Sequence, residues 1–277
     1  MEATPVLDKG YVRLTQSSFR KNVTGNELSI VNAARASFMK ESGELSDRDR
    51  KLIAFLAEHG HTGPFRHVVV SFEVKAPLMV ARQWFKYRVG WEHGPDTAEL
   101  LGVSIPDEMA EAFWNFMRAI EWVPQGDDQG FSDLMYTRNE ASRRYVTLEP
   151  EWYIPGPGEW RGTPENKKQG SGGPLPENVG KGFTELMQEE IGRGMLSYNL
   201  AMEAGIAPEL ARGFLPSMYF LYTVWRWSGS LQAVAHFIHQ RAVLEGAQSE
   251  IRDYAQAVYK ELKKDFPDTL ARLIQEG

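Results

Sequence analysis

The sequence predicts a domain of mixed helices and strands on three observations: an amphipathic helical pattern at 46–59, a period-two alternation at 68–75, and helical stripes through the last third. A chain of 277 residues with 42% hydrophobic content can bury a core of one large domain or two small ones. The formal net charge of −6 confines any basic patch to a local one and argues against a broad nucleic-acid footprint, which needs excess Lys and Arg. Small anionic ligands remain compatible with it. The segment Met1-Glu2-Ala3-Thr4-Pro5 has no basic region followed by an apolar stretch, and no run of about twenty uncharged apolar residues occurs. A soluble, cytoplasmic protein is therefore expected. The absence of Cys removes disulfides, thiolate zinc sites and thiol nucleophiles.

In chain order, Ser46 can cap the first helix, Leu52, Ile53 and Leu56 share one face, and Gly60 can end it. After a polar turn at 61–64, Val68, Val70, Phe72 and Val74 alternate with Val69, Ser71, Glu73 and Lys75, the period of a half-buried strand. Pro77 suits the first turn of the next helix, on which Met79, Gln83, Lys86 and Tyr87 share a side, with Arg88 near its end. An amide, an amine and a phenol would then converge. A helical segment around 108–122, between polar and Gly-containing stretches, reads as part of an insertion too short to stand alone.

At 139–145 the chain reads Asn-Glu-Ala-Ser-Arg-Arg-Tyr, which in extended form points Glu140, Ser142 and Arg144 the same way. The stretch 156–182, rich in Gly, Pro, Lys and Glu and without periodicity, is expected to be a mobile surface loop or lid. Farther on, Pro208 marks a helix start, and Ser230 caps a segment carrying Val234, Phe237, Ile238 and Arg241 at helical spacing. Ile251, Tyr254, Ala255, Val258 and Leu262 form one stripe, which Pro267 interrupts.

Several motifs fail on spacing. Gly180-Lys181-Gly182 lacks the P-loop pattern, since Leu175 and Gly182 stand where Gly and Ser or Thr are required. No Gly-x-Gly-x-x-Gly fingerprint follows a strand. His59, His61 and His67 fit no zinc spacing, and the surrounding helix and strand should point them apart, leaving His61 as a polar contact in a turn. The aromatic residues between 219 and 227 read as core or subunit interface. Arg241 falls on the apolar side of its helix, where either a carboxylate or a bound anion should meet it, and spacing leaves both alternatives open.

Taken together, these segments resemble a known family. Glu58-His59-Gly60-His61-Thr62-Gly63-Pro64-Phe65-Arg66-His67, then Phe72 through Gln83-Trp84-Phe85, is similar to the N-terminal half of the flavin-dependent thymidylate synthases. So are 139–145, Glu151-Trp152-Tyr153-Ile154-Pro155, Ala211-Arg212 before Leu215-Pro216, and Arg241 before Ala247-Gln248. The anchors run from Leu7-Asp8-Lys9-Gly10 almost to the end of the chain, in order.

The resemblance implies an α+β fold in one domain over 1–277, with an insertion at about 99–136, assembled as a homotetramer whose active sites are shared between subunits. It implies FAD lying over dUMP, with methylenetetrahydrofolate as carbon donor and NADPH as reductant. Carried over by position, Gln83, Lys86, Glu140, Ser142, Arg143, Arg144, Arg212 and Arg241 surround dUMP, and Gly63, Lys86, Tyr87, Arg88, Gln232 and His236 meet FAD. Arg241 takes the catalytic role, stabilising negative charge as uracil N3 ionises. The missing thiol agrees with a flavin route, because the other type of thymidylate synthase attacks uracil C6 with a thiolate. The family pattern is departed from at Lys86-Tyr87-Arg88, where Arg-His-Arg followed closely by Ser is commoner. The same scaffold also allows one-carbon transfer to another pyrimidine nucleotide, or a non-catalytic nucleotide-binding paralogue.

Overall fold

The computed structural model describes residues 3–17, 27–87, 137–140, 149–164 and 171–274. The insertion expected at about 99–136 lies outside them, as do Arg88, Ser142, Arg143 and Arg144.

A five-stranded sheet organises the chain. Its strands are β1 (Thr4–Val6), β2 (Gly10–Ser17), β3 (Val69–Pro77), β4 (Thr137–Glu140) and β5 (Tyr222–Ser230), in the order β1-β2-β3-β5-β4, with every neighbouring pair antiparallel. The alternation read in β3 sets the two faces. Val70, Phe72 and Val74 are buried, whereas Glu73 on the opposite face accepts from Tyr11, ion-pairs with Arg13 and lies 3.5 Å from Arg226. Burial alone would raise the Glu73 carboxyl, but the Tyr11 and Arg13 hydrogen bonds and the two guanidinium charges hold it below the ordinary carboxylate value.

The inner face is covered by helices. Among the described residues the helices are α1 (Glu27–Arg35), α2 (Asp47–Glu58), α3 (Gly63–Arg66) and α4 (Leu78–Trp84), then α5 (Glu177–Glu203), α6 (Pro208–Ala211), α7 (Leu231–Ile238), α8 (Ser249–Leu262) and α9 (Pro267–Leu273), of which α5 and α6 pack on each other as a separate arm. Ser46 caps α2 as expected, in a reciprocal capping box with Asp49. Ser230 caps α7 by accepting from the Ala233 amide at 3.2 Å. The stripe read on α8 is its buried face, and Tyr254 within it donates to the Lys75 carbonyl at 2.7 Å, tying α8 to β3. At the centre, Trp84 is fully buried, stacked 4.3 Å from Phe237 and meeting Trp225 and Trp227 edge-on. Burial of an aromatic ring of this kind contributes about 3 kcal/mol.

Three expectations change. The last third is not wholly helical: β5, with Trp225 and Trp227 on its inner face, pairs with β3 along all nine of its residues. Trp225 and Trp227 of the aromatic stretch are thus core, one of the two readings offered, while Tyr219 is exposed. The segment 156–182 is not a single aperiodic loop either. Residues 160–162 pair with 172–175 through the Gly162 amide on the Gly173 carbonyl and the Leu175 amide on the Trp160 carbonyl, and α5 begins already at Glu177. Its glycines hid that helix. Gly180 packs so tightly on Pro157, and Gly194 on Pro216, that a Cβ at either would collide with them. Finally, the rings of His59 and His61 do not point apart but lie stacked 6.4 Å from each other, with Phe55 completing the stack at 4.1 Å from His59.

Candidate active site

The helix carrying Gln83 stops at Trp84, three residues before Tyr87. Gln83, Lys86 and Tyr87 therefore do not share one helical side, contrary to the spacing. The closing turn, Tyr87 amide to Trp84 carbonyl at 3.0 Å, sends Lys86 outward and Tyr87 into the core. There the Tyr87 ring packs edge-on against Phe237 at 5.2 Å and tilted against His236 at 5.8 Å. The burial of that phenol ring gives the physical reason for the turn.

Arg241 reaches the same ring from the other side. After Ile238 the chain widens into a π turn, His239–Val243, closed by the Leu244 amide on the His239 carbonyl at 3.0 Å. From it the Arg241 guanidinium sits 5.3 Å from the Tyr87 ring centre. Its Nε is buried, and among the described residues it has no hydrogen-bond partner and no carboxylate stands within ion-pair distance of the side chain. Of the two alternatives the sequence left open, no carboxylate meets Arg241 among the described residues.

Beside this cluster opens a cleft of about 200 Å³, walled by the end of α2, by α3, α7 and α9. Gln232, His236, His239, Arg272, Thr62 and the Gly60 backbone line it, and Gly63 follows Thr62 with open space where a side chain would stand. Of the residues that the resemblance assigns to FAD, Gln232 and His236 line this cleft, Gly63 follows Thr62 at its edge and Tyr87 packs on His236, while Lys86 points outward. His239 and Arg272 join them from outside that set. The donors are an amide, imidazoles, a guanidinium and bare backbone, a set that fits phosphate oxygens and a flat polar ring. The cleft's size suits one end of a dinucleotide cofactor.

Gln83 does not act alone. Its Nε2 donates to Oε1 of Gln248 at 2.6 Å and lies 3.3 Å from the Met79 carbonyl. Sequence reading quoted Gln248 as part of a motif without giving it a role, and with 165 positions between the partners no local period could reveal the bond. Glu140 stands at the end of β4, in register with Trp225. Arg138, two residues earlier, lies 3.8 Å from the Phe85 ring centre and went unnoticed, although it adjoins the 139–145 motif.

Arg212 stands apart. It follows α6 on an arm formed with α5, where Trp152, Tyr198, Ala201, Ala211, Leu215 and Leu221 make a second small core. No hydrogen bond or ion pair among the described residues joins it to Gln83 or Arg241. The arm's outer side leaves Leu196, Leu200, Leu210 and Phe214 each at least half exposed.

With this geometry, the relatives are informative. The model of the thymidylate synthase complementing protein family matches residues 20–93 and 134–268, and the interval between overlaps the segment read as an insertion. A flavin-dependent thymidylate synthase from Thermotoga neapolitana is 31% identical over 271 residues, covering 98% of this chain and 94% of that protein. A flavin-dependent thymidylate synthase from Thermus thermophilus is 33% identical over 263 residues, covering 95% and 75%. A crystal structure of the UMP/dUMP methylase PolB from Streptomyces cacaoi, bound with 5-Br dUMP, superposes with a TM-score of 0.68 at 22% identity, covering 98% of this chain and 97% of that one, a likeness of fold. A match over nearly the whole length at this identity, together with a family model spanning most of the chain, makes this protein a member of the flavin-dependent thymidylate synthase family, a flavin-using methyltransferase.

Proposed function

We propose that this enzyme reductively methylates dUMP to dTMP, with methylenetetrahydrofolate as carbon donor and NADPH as reductant, through FAD. The observation that carries the reading is the Tyr87 ring, which touches His236 of the expected flavin set and Arg241 of the expected substrate set. Cofactor and nucleotide would then meet across one residue. The half-buried Arg241, without a carboxylate partner among the described residues, keeps its charge for a ligand anion.

In this reading Gly63, Lys86, Tyr87, Arg88, Gln232 and His236 hold FAD, and the bound flavin supplies hydride chemistry. Gln83, Lys86, Glu140, Ser142, Arg143, Arg144 and Arg212 hold dUMP, while Arg241 stabilises the charge that develops as uracil N3 loses its proton. Tyrosine at 87 has a physical rationale. A neutral phenol accepts Arg241 over its face, where a protonated imidazole would repel it. The apolar side of the α5–α6 arm supports self-association, since a patch of that kind calls for a partner surface, and in the homotetramer implied by the resemblance Arg212 would face a neighbouring subunit. We place the enzyme in the cytoplasm as one domain with an insertion at about 99–136.

The test is anaerobic reduction of the flavin-loaded protein by NADPH with and without dUMP, followed by product analysis with dUMP and UMP offered separately. Reduction that responds to dUMP, and dTMP formed with methylenetetrahydrofolate, are expected. Protein that holds no flavin after reconstitution, or methylation of UMP alone, overturns the reading. The second outcome would point to a methylase acting on another pyrimidine nucleotide, the substrate class named for PolB.

A further inference from the structure

One backbone carbonyl fixes the orientation of two side-chain amides. The Met79 carbonyl can only accept, so the Gln83 atom facing it at 3.3 Å is the nitrogen. That same nitrogen lies 2.6 Å from Gln248, so Gln248 presents its oxygen. With Nε2 engaged, Oε1 of Gln83 is the atom left over, and no described residue donates to it.

Gln248 is itself held as a post. Gly246, at φ +93°, makes the left-handed step that leads from the π turn to α8, and Gln248 takes the extended N-cap position there. Its side chain does not cap the helix and is spent on Gln83 instead. The first turn is clamped from the 160–162 segment: Arg161 Nη2 donates to both Glu250 oxygens at 2.6 and 2.8 Å, and Nη1 donates to Ser249. Behind it, buried Ile251 and Tyr254 anchor α8 to the sheet side.

We infer that Gln248 is a positioning residue, which by accepting from Gln83 Nε2 fixes the Gln83 carboxamide with its oxygen free to accept an N–H or O–H of the pyrimidine nucleotide. The inference rests on the placement of Gln83 at dUMP. An amide free to rotate offers the wrong atom part of the time, and the mismatch costs about the worth of one hydrogen bond.

The experiment is a titration of dUMP into flavin-loaded enzyme, read by the flavin absorbance and paired with steady-state kinetics, for Gln83→Met, Gln248→Met, the double variant and Gln248→Glu. Each Met variant is expected to weaken dUMP binding about tenfold, raising KM more than it lowers kcat. The double variant should be no weaker than Gln83→Met, because Gln248 acts through Gln83. Gln248→Glu, which keeps an acceptor, should recover most of the loss. Should Gln248→Met not fold, Gln248→Asn, which suits the N-cap but cannot reach Gln83, takes its place. If Gln83→Met leaves dUMP affinity intact, the placement of Gln83 at the nucleotide is wrong. If Gln83→Met weakens binding but the two losses add, or Gln248→Glu is as weak as Gln248→Met, Gln248 does not position Gln83.

Discussion

Two stretches only a few residues apart treat an arginine in opposite ways. At the first turn of α8, Arg161 is bidentate on Glu250, whose side chain is 4% exposed, and also donates to Ser249. In the π turn just before it, Arg241 lies beside the Tyr87 ring, and no carboxylate among the described residues stands within ion-pair distance of it, although the Nε of either arginine is buried without a partner. A half-buried guanidinium without a carboxylate keeps its terminal nitrogens open to another anion. The paired arginine holds the scaffold, and on the proposed function the unpaired one is left to meet the nucleotide.

Arg241→Ala separates the two arginines most widely. Turnover should fall by roughly a thousandfold, the scale set by removing a charge-stabilising donor, while flavin stays bound and the thermal midpoint scarcely moves. A spectrum of the purified variant and a dTMP assay decide it. A variant that unfolds, or keeps parental turnover, would make Arg241 a second Arg161.

Arg161→Met should do the reverse. It strands the Glu250 carboxylate in a buried position, at a cost of about 3 kcal/mol in urea unfolding. Turnover of the molecules that stay folded should drop far less than in Arg241→Ala. Replacing both partners, Arg161→Met with Glu250→Leu, should restore most of the stability, because no buried charge is then left unpaired. If the double variant is no more stable than the single one, the pair does more than neutralise itself.

The contrast also marks what could be read from the sequence. The α2 cap at Ser46, the alternation of β3 and the buried stripe of α8 were legible because each is a local period or an adjacent cap. Strand β5 was passed over because Trp225, Arg226 and Trp227 read as an aromatic cluster rather than as alternation, and its pairing with β3 is long-range. Helix α5 carries glycines chosen for close contact with Pro157 and Pro216, which weaken any helical signal. Within the site, spacing singled out Arg241 and the resemblance supplied Gly63, Gln232 and His236. The geometry that spacing got wrong was the end of α4. A helix stop is decided by where the next ring finds a pocket, and the pocket for Tyr87 is built by Phe237 and His236, about 150 residues later. The Gln83–Gln248 and Arg161–Glu250 contacts were out of reach for the same reason.

The smallest effect sharpens the paired side. Asp253 stands one turn beyond Glu250 on α8, and its carboxyl is raised above the ordinary value of 3.8, first by burial, then by the Glu250 charge, with Arg252 and Arg161 opposing. A raised carboxyl binds its proton more tightly in the folded state, so the strain of ionising it is present above the folded value and relieved as pH falls toward 3.8. Asp253→Asn should therefore stabilise the protein at neutral pH by a few tenths of a kcal/mol, since the carboxyl is only partly covered at the surface and solvent screens its charge. That gain should vanish in acid, where the parent Asp253 is itself neutral. Made on top of Arg161→Met, the same change should gain more at neutral pH, because one of the two charges opposing the shift is gone. Unfolding curves for the four proteins, taken at neutral pH and below pH 4, measure whether Arg161 holds this cluster of carboxylates together. An equal gain with and without Arg161 would show that its charge is spent on Glu250 alone.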